Sequence, residues 1–210
     1  YWTELDRRLR AAGATAAQVQ VAWMKEADAG PTQRFPADAR RLQSELATLA
    51  RTLRSRFSNL RLLYLSSRIY GGYASTNLNP EPYAYQSGFA VKWLVEQQIQ
   101  GDPELSYASG RAPWMAWGPY LWADGLQVRA DGLQWACEDF QDDGTHPSPS
   151  GRQKVAAMLL DFFNTDATAR PWFLRGSAGT PVPAFGALVN AASFAPLVAP
   201  GSIASVFGAE

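Results

Sequence analysis

Two short apolar runs separated by one long amphipathic segment constrain the fold of this chain most strongly. The amphipathic segment, residues 37–57, places apolar side chains on one helical stripe opposite several arginines: Leu42, Leu46, Leu49, Leu53 and Phe57. The runs at 19–24 and 60–67 are bounded by loop residues, which is typical of strands buried in a sheet. Strands joined by a crossover helix lie parallel, so the sequence predicts a three-layer α/β sheet.

Three further segments have helical patterns. Residues 1–12 end beside a glycine. The last helix, at about 149–163, is expected to start either at Ser148 followed by Pro149 or at the capping pair Ser150 and Gln153. Residues 83–100 are predicted to form a helix with these residues facing inward: Tyr85, Phe89, Trp93, Val95 and Ile99.

Long polar and aromatic segments separate these elements. Residues 67–82 and 110–125 are rich in glycine, proline and aromatic residues, so both are predicted to be irregular loops. Loops that start at Lys25, Ser66 and Tyr107 are expected to leave the carboxyl ends of the strands, where ligands bind in such sheets.

The charge balance and the residue counts exclude several functional classes. The chain has 19 basic and 19 acidic residues, a net charge of zero, so we expect no nucleic-acid partner. No apolar run reaches the roughly 18 residues of a membrane span. A single cysteine and a single histidine exclude an intrachain disulfide and the usual zinc clusters. We therefore expect no cofactor and no metal, and we expect Cys137 to be a small buried hydrophobic residue.

The two ends of the sequence suggest a piece of a longer protein. Tyr1 lies within a predicted helix, and the final "SVFGAE" resembles part of a strand. From about residue 176 the composition changes to glycine, alanine, proline and serine with almost no charge, which predicts a linker at 176–185 and short β segments at 186–210.

The only histidine, His146, lies in the stretch "DGTHPSPSGRQKVA", three residues after Asp143. A carboxylate that binds one ring nitrogen holds the imidazole tautomer and stabilises the imidazolium, as a general base requires. Gly144 and Pro147 favour a turn that lets Asp143 reach the ring. The alternative from these residues alone is a surface histidine that caps a helix beside an acidic loop.

This stretch resembles the last conserved block of the SGNH/GDSL hydrolases, in which Asp-x-x-His precedes the final helix. The resemblance covers residues 1 to about 165, or 1–175 as a domain, and implies a flavodoxin-like α/β/α fold that lacks its N-terminal part. It implies serine esterase or acylhydrolase activity on a small-molecule or carbohydrate ester, with His146 as the base and Asp143 as its orienting acid. An exposed apolar sheet edge should follow from the absent first strand.

The sequence departs from the family pattern in two places. It contains no Gly-Asp-Ser block, so the nucleophile is expected before Tyr1 and the fragment alone is expected to be inactive. Lys25 stands near the position of the family's oxyanion asparagine. Its side chain either stabilises negative charge as a donor or is an ordinary strand-end cation.

Other residues have two readings each. Arg68 and Tyr70 in "SRIYGG" either contact substrate or form a glycine turn packed by an aromatic ring. Trp114, Trp117 and Trp122 either stack on sugar rings or cover the core.

The tail phrase "VNAASFAPLVAPGSI" resembles the NAAS-type β-domains of secreted bacterial proteins. It implies an extracytoplasmic or secreted parent. Two hypotheses result: a secreted SGNH-type esterase, or a non-catalytic carbohydrate-binding or adhesion module on the same fold. A Gly-Asp-Ser block encoded upstream would distinguish them.

Overall fold

The computed structural model describes residues 2–174, 188–190 and 204–206. Within these residues the helices are α1 (Trp2–Ala11), α2 (Ala37–Arg56), α3 (Tyr83–Ile99), α4 (Pro149–Thr165) and α5 (Arg170–Phe173). The strands are β1 (Val21–Met24), β2 (Leu62–Leu65), β3 (Trp114–Trp117), β4 (Leu188–Asn190) and β5 (Ala204–Val206). The predicted α/β class is confirmed.

The sheet has the strand order β3-β2-β1-β5-β4. Strands β1, β2 and β3 are parallel, with Val21 opposite Leu62 and Leu62 opposite Trp114. Their carboxyl ends therefore meet at one edge of the sheet, where the following loops begin. Strand β5 pairs with β1 in the antiparallel sense and also with β4. The expectation of an exposed edge beside β1 is thus wrong, because the tail contributes a short strand there.

Side chains that alternate along the strands build a core on each face of the sheet. On one face, Ala22, Leu63 and Met115 pack with buried residues of α1, α2 and α3. On the other face, Trp23 and Tyr64 pack with buried residues of α4. The apolar stripe of α4 is Val155, Leu159 and Phe163, all fully buried. Truncating Leu159 to alanine would cost about 2–5 kcal/mol.

Strand β3 lies inside the segment that we predicted to be an irregular loop. It has four residues, Trp114–Trp117, bounded by Pro113 and Gly118. A run this short shows no clear alternation in the sequence, and its pairing with β2 supplies the hydrogen bonds that define it.

The inward face of α3 also differs from the prediction. Tyr85 and Ile99 are exposed, and Phe89 and Trp93 are only half-buried. The buried face consists of smaller residues: Ala84, Ser87, Gly88, Ala90, Val91 and Leu94. The rings of Phe89 and Trp93 pack instead against Phe35, with centroid distances of 5.1 and 5.7 Å.

Three sequence expectations about the rest of the chain have mixed outcomes. Cys137 is exposed, so its predicted burial is wrong. The predicted linker at 176–185 lies outside the described residues, and a separate β-rich module at 186–210 stays a prediction. None of the helices that the structure describes is both long and apolar enough to cross a membrane.

Candidate active site

Asp143 and His146 form one compact turn between the short turn Cys137–Asp139 and α4. Asp143 Oδ2 hydrogen-bonds the His146 ring at Nδ1. Asp143 Oδ1 accepts the backbone N–H groups of Thr145 and His146, both at 2.9 Å. The contact expected from the Asp-x-x-His spacing is therefore present. With Nδ1 bound to the carboxylate, Nε2 is the ring nitrogen left to meet a reactant.

A neighbouring loop holds this turn in place. Gly144 has φ of 64°, and a Cβ there would lie 1.8 Å from the carbonyl oxygen of Tyr73. Ser75 donates to the carbonyl oxygen of Asp143 from its backbone N–H at 3.0 Å and from its hydroxyl at 3.2 Å. Both contacts come from the loop between β2 and α3, so that loop sets the position of the Asp–His turn.

The Asp143 carboxylate is ionised throughout the neutral range. Burial raises its pKa, but hydrogen bonds from the His146 ring and from the backbone of His146 and Thr145 outweigh burial and lower the pKa to about 2. The Asp143 side chain is 31% exposed and the His146 side chain 51%. A permanent carboxylate beside an accessible imidazole stabilises the imidazolium that forms when the ring takes up a proton.

Lys25 follows the last residue of β1 and is only 1% exposed. Its Nζ has no hydrogen-bond partner among the residues that the structure describes. Burial, and then the positive charge of Arg68, lower the Lys25 pKa well below its usual value. An ordinary strand-end cation extends into solvent. The burial of Lys25 without a partner therefore favours the reading in which it is a donor for a bound group.

Arg68 links the end of β1 to the Asp–His turn. Burial lowers its pKa, while the negative charges of Glu26 and Asp143 raise it, so both carboxylates lie within electrostatic reach. Arg68 Nε is buried and lacks a hydrogen-bond partner in the described part of the chain. The charge of Arg68 thus acts on both Lys25 and Asp143, and we call these electrostatically coupled residues the charged cluster.

Glu26 belongs to the same cluster, although it was not among the predicted site residues. Its pKa is raised by burial, against the opposing charges of Lys25 and Arg68. The available signal was its position directly after Lys25 at the end of a buried strand, where side chains meet the ligand edge.

Tyr70 contributes to the support of the site rather than to the charged cluster. Its ring packs edge-on against Tyr73 with centroids 5.2 Å apart, and Tyr73 packs against Phe140 at 5.4 Å. A Cβ on Gly72 would lie 2.1 Å from the Tyr70 hydroxyl, so the ring folds back over the glycine turn. This arrangement favours the packing reading of Tyr70.

The three candidate tryptophans have different environments. Trp114 packs against Tyr64 on the α4 side of the sheet. Trp122 stacks on Tyr85 at 4.7 Å and donates from Nε1 to Glu81. Trp117 lines an open cleft of about 170 Å³ with other residues of α3 and the β3 loop: Tyr85, Gly88, Phe89, Lys92 and Tyr120. Only Trp117 of the three lines this cleft, and we call it the aromatic cleft.

In the described part of the chain, no group of three or more His, Cys, Asp or Glu side chains is arranged to hold a metal ion. Comparison with family models, with curated proteins and with solved structures finds no match to this chain. The case for a function therefore rests on the geometry of the site.

Proposed function

We propose that this chain is the histidine-bearing part of a serine esterase or acylhydrolase of SGNH type, with a flavodoxin-like fold and acylated carbohydrates as a candidate substrate class. One observation carries the proposal. The Asp143–His146 pair has its Nε2 available and lies in the same charged cluster as two cations with buried, unpaired donor atoms, Lys25 and Arg68.

The proposed reaction assigns one role to each group. His146 Nε2 takes the proton of a serine hydroxyl while that oxygen attacks the acyl carbon of the ester. The resulting imidazolium, held by Asp143, protonates the departing alkoxide as its bond to the acyl carbon breaks. Water then releases the acid by the reverse sequence of proton transfers.

Arg68 provides positive charge, and Lys25 a hydrogen-bond donor, for the oxyanion or for an acidic group of the substrate. A donor without a protein partner in a buried site loses little when it turns to a developing negative charge. The sequence contains no Gly-Asp-Ser block, so the proposal requires a serine nucleophile from outside these 210 residues. Secretion of the parent protein is proposed from the resemblance of its tail alone.

The test uses the complete open reading frame that encodes this sequence. The purified protein should hydrolyse p-nitrophenyl acetate or butyrate, and His146→Ala should reduce turnover on the order of 10⁶-fold. Gln153→Ala, an exposed change on α4, serves as the matched control and should leave turnover unchanged. Equal hydrolysis with and without the imidazole would rule out the catalytic assignment.

A non-catalytic carbohydrate-binding or adhesion module is the second candidate, and the aromatic cleft favours it. Aromatic faces such as that of Trp117, which lines this cleft, stack on sugar rings. In addition, Lys25 stands near the position of the oxyanion asparagine that the resemblance implies. If the chain is a binding module, Trp117→Ala should abolish glycan binding. His146→Ala should leave glycan binding unchanged, and neither the native protein nor this variant should hydrolyse esters. An array of plain and acetylated glycans measures this directly.

A further inference from the structure

A small cavity between the starts of α2 and α3 is lined by residues that carry buried oxygen atoms without hydrogen bonds from the described residues. Its volume is about 10 Å³, and Asp28, Asp38, Asn79 and Gln86 contribute to its lining. Asp38 and Asn79 are each only 4% exposed. Asp38 Oδ1, Asn79 Oδ1 and Gln86 Oε1 are buried and accept no hydrogen bond from the residues that the structure describes.

Asn79 Oδ1 and Gln86 Oε1 have no polar partner among the described residues, and Asp38 Oδ1 has only an ion pair with Arg41, so the three acceptors around this cavity call for a shared partner. A buried polar atom without a partner reduces stability, and native proteins leave few of them. A cavity of this size has room for one atom as large as a water molecule. The partner must therefore be a single small group that interacts favourably with several oxygens at once.

The charge of the cavity wall favours a cation. Arg41 lies beside two of the carboxylates, with Nη2 2.9 Å from Asp38 Oδ1 and 3.1 Å from Asp28 Oδ2. The contact with Asp38 Oδ1 is an ion pair without hydrogen-bond geometry, so that oxygen remains available. One guanidinium for two carboxylates leaves a net negative charge at the cavity wall.

The donor atoms indicate which cation. They are carboxylate and amide oxygens, the hard ligands that Ca²⁺ takes in flexible geometry, with water completing its shell. We propose that this cavity binds one Ca²⁺ ion through Asp38 Oδ1, Asn79 Oδ1 and Gln86 Oε1, with the Asp28 carboxylate close by.

The bound ion would join two loops of the candidate active site. Asp28 lies in the loop between β1 and α2 that begins with Lys25, and Asn79 lies in the loop between β2 and α3 that carries Arg68. The same two loops already meet where Gly30 N–H donates to the carbonyl oxygen of Asn77 at 3.1 Å. The proposal does not depend on catalysis, because it concerns stability and metal affinity alone.

The first experiment measures thermal unfolding of the full chain after EDTA treatment. Ca²⁺ at about a hundredfold excess over its Kd should raise the unfolding midpoint by about 5–10 °C. Mg²⁺ should have a smaller effect, because it demands near-ideal octahedral geometry. Tb³⁺ should show emission sensitised by Tyr83, which lines the cavity. Absence of both the Ca²⁺ shift and the Tb³⁺ emission would mean that water, or turned amide groups, satisfies these oxygens, and would overturn the proposal.

Two variants at one position sharpen the test. Gln86→Glu adds a charged ligand and should tighten Ca²⁺ binding about tenfold, whereas Gln86→Leu removes the ligand and should weaken binding at least about tenfold. Gln100→Leu, the same change at an exposed position just after α3, should leave the affinity unchanged. Circular dichroism verifies folding. If Gln86→Leu fails to fold, Gln86→Glu decides alone, and a Ca²⁺ affinity equal to or lower than that of the native chain contradicts the site.

Discussion

The turn that carries Asp143 and His146 lies partly in solvent, and each oxygen of its carboxylate accepts a hydrogen bond from within the turn. Lys25 and Arg68 have the opposite character. They come from the ends of two different strands, and Lys25 Nζ and Arg68 Nε are buried without partners in the described residues. The Asp143–His146 turn is formed by neighbouring residues, and its carboxylate oxygens have hydrogen-bond partners within the turn. Lys25 and Arg68 come from distant segments of the chain, and Lys25 Nζ and Arg68 Nε lack such partners among the described residues.

The difference indicates which region expects a ligand. A satisfied pair such as Asp143–His146 needs no ligand to complete its hydrogen bonds. Buried donors without acceptors reduce stability, and such groups cluster at functional sites, where a bound molecule supplies the missing acceptor. The predictions below, taken from the largest expected effect to the smallest, test this contrast.

Replacing Asp143 by asparagine in the intact parent protein should reduce esterase turnover on the order of 10⁴-fold, because the amide stabilises the wrong tautomer of His146. Asp142→Asn, an exposed neighbour, is the control and should retain full turnover. Steady-state kinetics at neutral pH measures both. Similar kinetics for the two variants would mean that the Asp143 contact has no catalytic role.

Gly144→Ala should destabilise the protein by about 2–4 kcal/mol, because the new Cβ meets the Tyr73 carbonyl oxygen in a backbone with positive φ. Gly132→Ala is the matched control, since it has φ of 85° and open space around its Cβ. It should lose only about 1–2 kcal/mol. Urea unfolding compares the two, and equal losses would show that the contact with the Tyr73 loop does not constrain the turn.

Lys25→Met should raise the free energy of unfolding by about 1–3 kcal/mol at neutral pH, because it removes a buried amine without a partner. Lys92→Met removes an exposed cation paired with Glu96 and should change stability by less than about 0.5 kcal/mol. A destabilised Lys25→Met variant would indicate that the amine has an acceptor in solution.

The stability difference between Lys25 and methionine should depend on pH. The folded-state pKa of Lys25 lies below its usual value of 10.5. At pH values between the folded-state pKa and 10.5, the unfolded chain therefore binds more protons than the folded chain. Stability of the native protein therefore rises with pH across that window, and the advantage of methionine should shrink as pH approaches 10.5. Urea titrations from pH 7 to 10 measure the slope.

Ser75→Ala should have the smallest effect, a loss of about 0.5–1 kcal/mol, because it removes one hydroxyl hydrogen bond to the Asp143 carbonyl. The backbone N–H of Ser75 keeps its own bond to the same oxygen. Hydrogen exchange at the Thr145 and His146 amides should accelerate only slightly. A large increase would show that the turn depends on its neighbour and is not internally satisfied.

Much of the fold could be predicted because its signals repeat along the chain. The leucine stripe of α2, from Leu42 to Leu53, extends over about three turns, and β1 and β2 stand out as apolar runs between loops. Strand β3 and the inward face of α3 could not be predicted in this way. β3 is a strand because it pairs with β2. The buried face of α3 consists of small residues because these are the ones that pack against the rest of the structure.

The sequence by itself predicted the Asp143–His146 contact, because a spacing of three residues within one turn lets the carboxylate reach the ring. Only the tertiary structure decided that Lys25, Glu26 and Arg68 share one buried cluster, and that Asp38, Asn79 and Gln86 face one cavity. The physical reason is separation along the chain. Groups on different strands and helices meet only after the sheet and its helices pack, and burial then removes the water that would otherwise satisfy them.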